Sequence, residues 1–131
     1  FEGGLPRGYS AARLPQQSRY VFPDFVVAAG FGLAVQPLPH QVIDTRGTGL
    51  LRKVRLKVKS MNYSAKEVYL DQSEQKGVCM NDSGGPAYEN DDDQILTVLA
   101  IVSRGEDYCD LQSTFEVVSE HLEWIQPFLK K

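Results

Sequence analysis

The feature that most constrains the fold is a strict alternation of apolar and basic residues near the middle of the chain. From Val54 to Lys59 the sequence reads Val-Arg-Leu-Lys-Val-Lys, so that every second side chain is apolar. A period of two is typical of a β-strand that buries one face and leaves the other in water. The pattern predicts a half-buried strand over residues 51–59. We interpret its basic face as solvated rather than as a surface that steers an acidic partner.

Four further short runs have the composition of strands. Residues 25–35 are rich in Val and Phe and contain two glycines, which suits a buried strand that bends at its end. Residues 95–102 are almost continuously apolar, which predicts burial on both faces. Residues 67–70 and 114–118 are shorter candidates. Several short strands predict a mostly antiparallel all-β fold, with a barrel or a sandwich as the two closed solutions.

The chain is predicted to end in a helix. Ser119 is expected to cap its first turn, and Leu122, Ile125 and Leu129 recur at a spacing that places them on one face. Pro127 removes one backbone hydrogen bond and should loosen the last turn.

The overall charge and hydropathy argue against two classes of partner. The 131 residues contain 14 Lys and Arg against 17 Asp and Glu, a formal net charge of -3. We therefore expect neither nucleic acid nor a membrane surface as a partner. The longest apolar run falls short of the roughly 18 residues that span a bilayer. Because the chain starts at Phe1 with no signal-peptide pattern, we expect that it was processed or excised from a longer product.

The cysteines and the acidic residues bear on metal binding. Cys79 and Cys109 lie in no spacing typical of a metal site. A disulfide between them is favoured; it would stabilise the domain by about 3 to 4 kcal/mol and imply an oxidising compartment. The alternative is a pair of buried free thiols in a cytosolic protein. Residues 89–93 offer carboxylates for calcium, but their spacing is not that of an EF-hand loop, and we interpret them as a solvated hairpin tip.

Residues 79–86 have the clearest chemical potential. They read Cys-Met-Asn-Asp-Ser-Gly-Gly-Pro. A serine followed by two glycines allows a tight turn on which backbone N–H groups converge, as an oxyanion site requires. Asp82 adds a carboxylate that needs a partner if it is buried. Taken alone, such a stretch is also a common surface turn, so the residues by themselves leave both interpretations open.

Residues 82–86, Asp-Ser-Gly-Gly-Pro, resemble the nucleophile loop of the trypsin-like (chymotrypsin-fold) serine endopeptidases, and motifs around them agree in order. Ala-Gly-Phe-Gly at 29–32 resembles that family's strand ending in a Gly-aromatic-Gly turn. Ile-Val-Ser-Arg-Gly at 101–105 resembles its Ile-Val-Ser-Trp-Gly strand, and Glu-Trp-Ile at 123–125 falls where its terminal helix carries Trp-Ile. Ala-Arg-Leu-Pro at 12–15 is similar to its inter-barrel segment. The resemblance covers nearly the whole chain.

The resemblance implies one half of a two-barrel protein. The fold would be an antiparallel six-stranded β-barrel, the second barrel of a chymotrypsin-like double barrel, with a C-terminal α-helix. Residues 1–24 would connect the barrels, residues 25–118 would form the barrel with the nucleophile loop, and residues 119–131 the helix. Cys79 and Cys109 match the bridge that closes the family's primary pocket.

The implied activity is peptide-bond hydrolysis by a serine endopeptidase that is secreted, or periplasmic, and made as a zymogen. Ser83 would form an acyl-enzyme, the N–H groups of Asn81 and Ser83 would hold the oxyanion, and Asp82 would pair with the amino terminus released by activation. A separate N-terminal chain would supply the catalytic His and Asp. His40 and His121 fall in a loop and in the terminal helix by position. Besides that chain, the expected partners are a protein or peptide substrate and protein inhibitors, and neither a metal nor an organic cofactor is required.

The resemblance also implies a set of substrate-binding residues. They are Gly77, Val78, Met80, Ser103, Arg104, Gly105 and Ser113. Because Gly77 stands where trypsins have aspartate, the primary pocket would be neutral and suited to a medium or large apolar side chain. The alternative is that Glu106 or Asp107 turns into the pocket and restores a preference for basic side chains. Asn81 stands where the family has glycine, and Arg104 stands where it has an aromatic residue. These two departures favour the alternative of a non-catalytic homologue that acts as a binding module.

Overall fold

The computed structural model of the chain describes residues 4–35, 38–42, 44–89 and 96–129. These residues form six strands, a 3-10 turn and one helix. The strands are β1 (Phe25–Gly30), β2 (Arg52–Asn62), β3 (Glu67–Asp71), β4 (Pro86–Glu89), β5 (Val98–Gly105) and β6 (Gln112–Val117). The 3-10 turn covers Val118–His121, and helix α1 covers Leu122–Leu129.

The six strands close into one antiparallel barrel. Their order around the barrel is β1, β2, β3, β6, β5 and β4, and β4 pairs with β1 to complete the ring. Every neighbouring pair is antiparallel. The predicted all-β fold with a terminal helix is confirmed, and of its two closed solutions the chain adopts the barrel.

The core lies inside the barrel and follows from the alternation along each strand. In β2, Leu56 is 1% exposed, whereas its neighbours Arg55 and Lys57 face solvent. The Arg55 guanidinium lies 3.8 Å above the ring of Phe25, which points outward from β1 beside it. The largest fully buried side chain is Phe115 in β6. Each fully buried aliphatic or aromatic side chain contributes about 1.5 to 3 kcal/mol through removal of its surface from water.

The bounds of all five predicted strands differ from the prediction, and one strand was not predicted at all. The strand predicted over residues 25–35 stops at Gly30, because the next N–H groups bond to the nucleophile loop instead of a neighbouring strand. The strand predicted over 95–102 is shifted to Val98–Gly105. Strand β4 was not predicted, because its first residue was assigned to the preceding turn and its last residue, Glu89, to the hairpin tip. The Glu89 carboxylate accepts a hydrogen bond from the Tyr20 hydroxyl at 2.7 Å.

The prediction that Ser119 caps the terminal helix was wrong. The 3-10 turn that precedes α1 begins without a side-chain cap. Ser119 is buried, and its hydroxyl accepts a hydrogen bond from the Tyr20 N–H at 3.4 Å. The predicted apolar face is buried only at its start, since Leu122 is 7% exposed and Leu129 is 61% exposed. Pro127 lies inside the helix, near its end.

Two further observations concern membranes and metals. The described part of the chain contains no helix long and apolar enough to cross a bilayer. Across residues 4–35, 38–42, 44–89 and 96–129, no group of three or more His, Cys, Asp and Glu side chains is placed to hold a metal ion. Residues 91–93 of the calcium alternative lie outside these ranges.

Candidate active site

The loop of residues 79–86, called the nucleophile loop after the role predicted for Ser83, is held by the carboxylate of Asp82. One carboxylate oxygen of Asp82 accepts a hydrogen bond from the Gly32 N–H at 2.8 Å, and the other accepts one from the Cys79 N–H at 2.9 Å. The first bond ties the loop to the turn after β1, and the second closes the loop on itself. Because hydrogen bonds from N–H groups to a carboxylate are among the stronger ones in proteins, Asp82 fixes the conformation of the residues around Ser83.

The hydrogen bond between Asp82 and the Gly32 N–H requires glycines in the Gly-Phe-Gly turn, residues 30–32, at the end of β1. A Cβ atom on Gly30 or Gly32 would collide with the Asp82 carboxylate. A Cβ on Gly85 would lie 2.8 Å from the Asp82 carbonyl oxygen. These glycines therefore allow the close backbone approach that brings the carboxylate onto the Gly32 N–H.

The hydrogen bonds of the loop determine where two backbone N–H groups point. The Met80 carbonyl accepts a hydrogen bond from the Leu33 N–H at 3.0 Å, and the peptide that follows is trans. In a planar trans peptide the N–H is opposite to the carbonyl, so the Asn81 N–H points away from Leu33. Likewise the Asp82 carbonyl accepts from the Gly85 N–H at 2.9 Å, so the Ser83 N–H points away from Gly85.

Both N–H groups are available as donors. Within the described part of the chain, neither the Asn81 N–H nor the Ser83 N–H takes part in a hydrogen bond. Asn81 has a φ of 72°, in the left-handed region that asparagine adopts more readily than most residues. Asn81 therefore adopts a backbone conformation that glycine would adopt without steric cost.

Ser83 lies in an open, largely apolar groove without a histidine. The groove has a volume of about 810 Å³ and is lined by Ser83 together with Phe31, Leu51 and Leu96. Neither histidine of the chain forms a hydrogen bond with Ser83: His40 is exposed in a loop, and the His121 ring bonds to the Glu116 carboxylate at 2.6 Å. The described part of the chain therefore offers Ser83 no imidazole base.

Residues 103–105 of β5 offer backbone beside the nucleophile loop. Val102 exchanges hydrogen bonds with the loop, accepting from the Gly84 N–H at 2.9 Å and donating to the Gly85 carbonyl at 2.8 Å. Beyond that point β5 pairs with β6, where Gly105 lies opposite Ser113. The pairing of β5 with β4 extends only to Ile101. Among the described strands, none pairs with the other edge of residues 103–105.

The predicted disulfide is confirmed, and it joins two of the predicted site segments. Cys79 and Cys109 are bonded, with their Cα atoms 5.3 Å apart. The bridge links the nucleophile loop to the connection between β5 and β6. Near it, Val78 is buried, Gly77 is exposed and Met80 is 42% exposed.

Arg104 is engaged with a residue that the sequence did not single out. Its two terminal nitrogens bond to the two carboxylate oxygens of Glu67 at 2.6 and 3.0 Å. The Tyr69 hydroxyl donates to the same carboxylate at 3.0 Å. The Arg104 guanidinium is the main cause that lowers the pKa of Glu67, and Glu67 in turn raises the pKa of Arg104. The cation at this position is therefore neutralised within the protein.

Gln72 is the other site residue that the sequence did not single out. Its side chain is fully buried and bonds to both Val78 and Cys109. For Gln72 and Glu67 alike, the sequence contains only an indirect signal. Gly77 lacks the side chain that would otherwise meet Gln72, and Arg104 in an otherwise apolar strand needs a counter-ion. Neither signal identifies its partner, because the contacts depend on how the barrel closes.

The comparisons with known proteins agree with this architecture. Neither a protein-family model nor a curated protein matches the sequence. Among solved structures, the scabies mite inactivated protease paralogue S-I1 is similar with a TM-score of 0.67 at 17% sequence identity, over 93% of this chain and 53% of that one. This chain has a chymotrypsin-like fold. It spans about half the length of that neighbour.

Proposed function

We propose that this chain is the C-terminal barrel of a secreted serine endopeptidase. In this proposal Ser83 attacks the scissile carbonyl of a peptide and forms an acyl-enzyme that water then hydrolyses. A histidine from a separate N-terminal chain accepts the proton of the Ser83 hydroxyl and donates it to the leaving amine, and an aspartate of that chain orients the histidine and stabilises its charged form. Catalysis needs no metal or organic cofactor, because the serine, the histidine and the backbone donors supply the whole reaction.

The arrangement of the nucleophile loop carries this proposal. Among the residues that the structure describes, no acceptor bonds to the N–H groups of Asn81 and Ser83, and each N–H is directed by the bond that its peptide's carbonyl makes. Donors that are fixed before the reaction stabilise a developing oxyanion without reorganising. The exposed hydroxyl of Ser83 lies next to both donors along the chain. A serine with two such donors is suited to acyl transfer.

Asp82 and the space beside it support activation by an inserted amino terminus. A cavity of about 250 Å³ is lined by Asp82, Gly30, Gly32 and Leu33, among others. Each carboxylate oxygen of Asp82 accepts one backbone hydrogen bond and has a further lone pair. An ammonium group that entered the cavity would meet a fixed negative charge.

The free edge at residues 103–105 supports binding of an extended peptide. A peptide that adds to an unpaired strand edge gains main-chain hydrogen bonds, and its alternate side chains enter pockets. The hydrogen bonds from Val102 to the nucleophile loop place this edge beside Ser83. Substrate would thus lie along β5 with its scissile bond at the serine.

A second candidate is a non-catalytic homologue that binds partners through the same barrel. The similar structure from the scabies mite is described as an inactivated protease. This chain has Asn81 at the oxyanion position and an ion-paired Arg104 in the substrate-binding segment. These departures would be tolerated in a protein that uses its surface for recognition alone.

Labelling with a fluorophosphonate distinguishes the two candidates. The purified material, including any second chain that co-purifies, is incubated with the reagent and examined by intact-mass spectrometry. The endopeptidase is expected to gain one adduct on this chain, only when the second chain is present. The Ser83→Ala variant should gain none. Absence of an adduct although the second chain is present would contradict the enzyme and favour the binding module.

A further inference from the structure

The side chain of Gln72 crosses the space beneath the nucleophile loop. Its amide oxygen accepts a hydrogen bond from the Val78 N–H at 2.9 Å, and its amide nitrogen donates to the Cys109 carbonyl at 3.0 Å. The backbone N–H of Gln72 bonds to the Leu111 carbonyl at 3.0 Å. The side chain thus spans the same two segments that the disulfide joins, and it is anchored at both ends of its amide.

Gln72 occupies the space into which a side chain at position 77 would project. A Cβ atom built on Gly77 would collide with the Gln72 carboxamide. Gly77 was expected to form the floor of the primary pocket. The amide of Gln72 therefore occupies the space that a floor side chain at position 77 would take.

Three residues of the pocket segments are buried. Gln72 and Ser113 are both 0% exposed, and Val78 is 5% exposed. Ser113 has the same parity along β6 as the buried Phe115, so its side chain faces the barrel interior. Its hydroxyl is buried without a hydrogen-bond partner among the described residues.

We propose that Gln72 is the specificity-determining residue of this site and that it restricts the primary pocket to small, uncharged side chains such as those of alanine and serine. The proposal rests on the proposed function and deepens it. A neutral floor excludes charged side chains, because a buried charge without a counter-ion is costly. The filled space excludes large ones. Displacing Gln72 to admit a large side chain would leave the Val78 N–H and the Cys109 carbonyl unpaired.

The test compares peptidyl phosphonate inhibitors that differ only in the side chain next to the phosphorus: alanine, phenylalanine, glutamine or lysine. Their rates of reaction with Ser83 are measured on the same two-chain material used for fluorophosphonate labelling. The wild type should react with the alanine inhibitor faster than with the others by roughly tenfold or more. The Gln72→Ala variant should react with the phenylalanine inhibitor at a rate that approaches its rate with the alanine inhibitor.

Two variants control for general damage. Gln72→Met fills similar space with an unbranched side chain and should keep the preference for alanine. Gln41→Ala removes an exposed glutamine in the loop between β1 and β2 and should leave all rates unchanged. Equal wild-type rates with alanine and phenylalanine would overturn the proposal even if Gln72→Ala does not fold. An unchanged preference in folded Gln72→Ala would also overturn it.

A binding measurement separates this proposal from the proposed function. If no phosphonate or fluorophosphonate reacts, the enzyme proposal fails, and the pocket is tested by titrating the chain with indole while recording amide NMR spectra. Indole should leave the Gly77 and Val78 amides of the wild type unshifted and should shift them in Gln72→Ala. Shifts in the wild type, or none in the folded variant, would overturn the assignment to Gln72.

Discussion

At the scale of single residues, the ion pair of Glu67 with Arg104 connects the predicted substrate-binding segment to the stability of the barrel. Glu67 is 8% exposed and accepts two hydrogen bonds from Arg104 and one from Tyr69. These donors favour its charged form and hold its pKa below the ordinary value of 4.5. A carboxyl group whose pKa is lowered by folding stabilises the folded state, and this stabilisation is fully present at pH values above the pKa that the group has in the unfolded chain.

We predict that this contribution is lost as the pH falls from about 4.5 through the lowered pKa of Glu67. Urea unfolding at a series of pH values from 6 to 3 should show a steeper fall in stability for the wild type than for Glu67→Gln, which has no group to protonate there. Glu74→Gln is the matched control, because Glu74 pairs with Lys76 on an exposed turn, where ion pairs contribute little. Coincident profiles for the wild type and Glu67→Gln would contradict the prediction.

The same scale shows what the sequence could and could not predict about the site. Asp82, Ser83 and the glycines that follow stand in one contiguous loop, so their order and spacing in the sequence were enough to predict that they lie together. Gln72 and Glu67 act through contacts with Val78, Cys109 and Arg104 that exist only once the barrel has closed. No local pattern marks such residues, since a polar side chain in a strand is normally expected to face water.

At the scale of elements, the strands were predictable where their side chains alternate over enough residues. The alternation in β2 identified that strand, because one face must be apolar to fill the barrel. Strand β4 was missed because its four residues, Pro-Ala-Tyr-Glu, are too few to show a period and include three types that are depleted in strands, namely Pro, Ala and Glu. Its proline is tolerated as the first residue of the strand. Closure of the barrel, rather than local preference, makes this segment a strand.

The disulfide is the element-scale feature with the largest predicted effect on stability. Cys79 and Cys109 enclose 30 residues of sequence separation, which include β4, β5 and the nucleophile loop. Because the bridge restricts the unfolded chain, the Cys79→Ala/Cys109→Ala double variant should lose about 3 to 4 kcal/mol of unfolding free energy. Urea titration measures this loss.

A reducing agent provides the control for the disulfide prediction. Dithiothreitol should lower the stability of the wild type by a similar amount and should leave the double variant unchanged. A loss of less than about 1 kcal/mol in the double variant would mean that the hydrogen bonds of Gln72 to Val78 and Cys109 hold the two segments together without the bridge.

At the scale of the whole molecule, the groove beside Ser83 leaves a barrel face uncovered. Phe31 is 54% exposed, Leu51 is 66% exposed and Leu96 is 38% exposed, and all three line this groove. Clustered exposed apolar side chains of this kind mark surfaces that are covered by a partner. The proposed N-terminal chain would cover this face and bring its histidine to the serine.

We predict that the isolated chain associates with itself through this groove when its partner is absent. Sedimentation velocity over a range of concentrations should show oligomers of the wild type and a monomer of the Phe31→Asp/Leu51→Asp variant, because charges that face each other across a shared apolar contact remain unpaired. Val42→Asp is the control, since Val42 is 96% exposed but does not line the groove. A monomeric wild type at all concentrations would contradict the prediction and show that this face is stable in water without a covering partner.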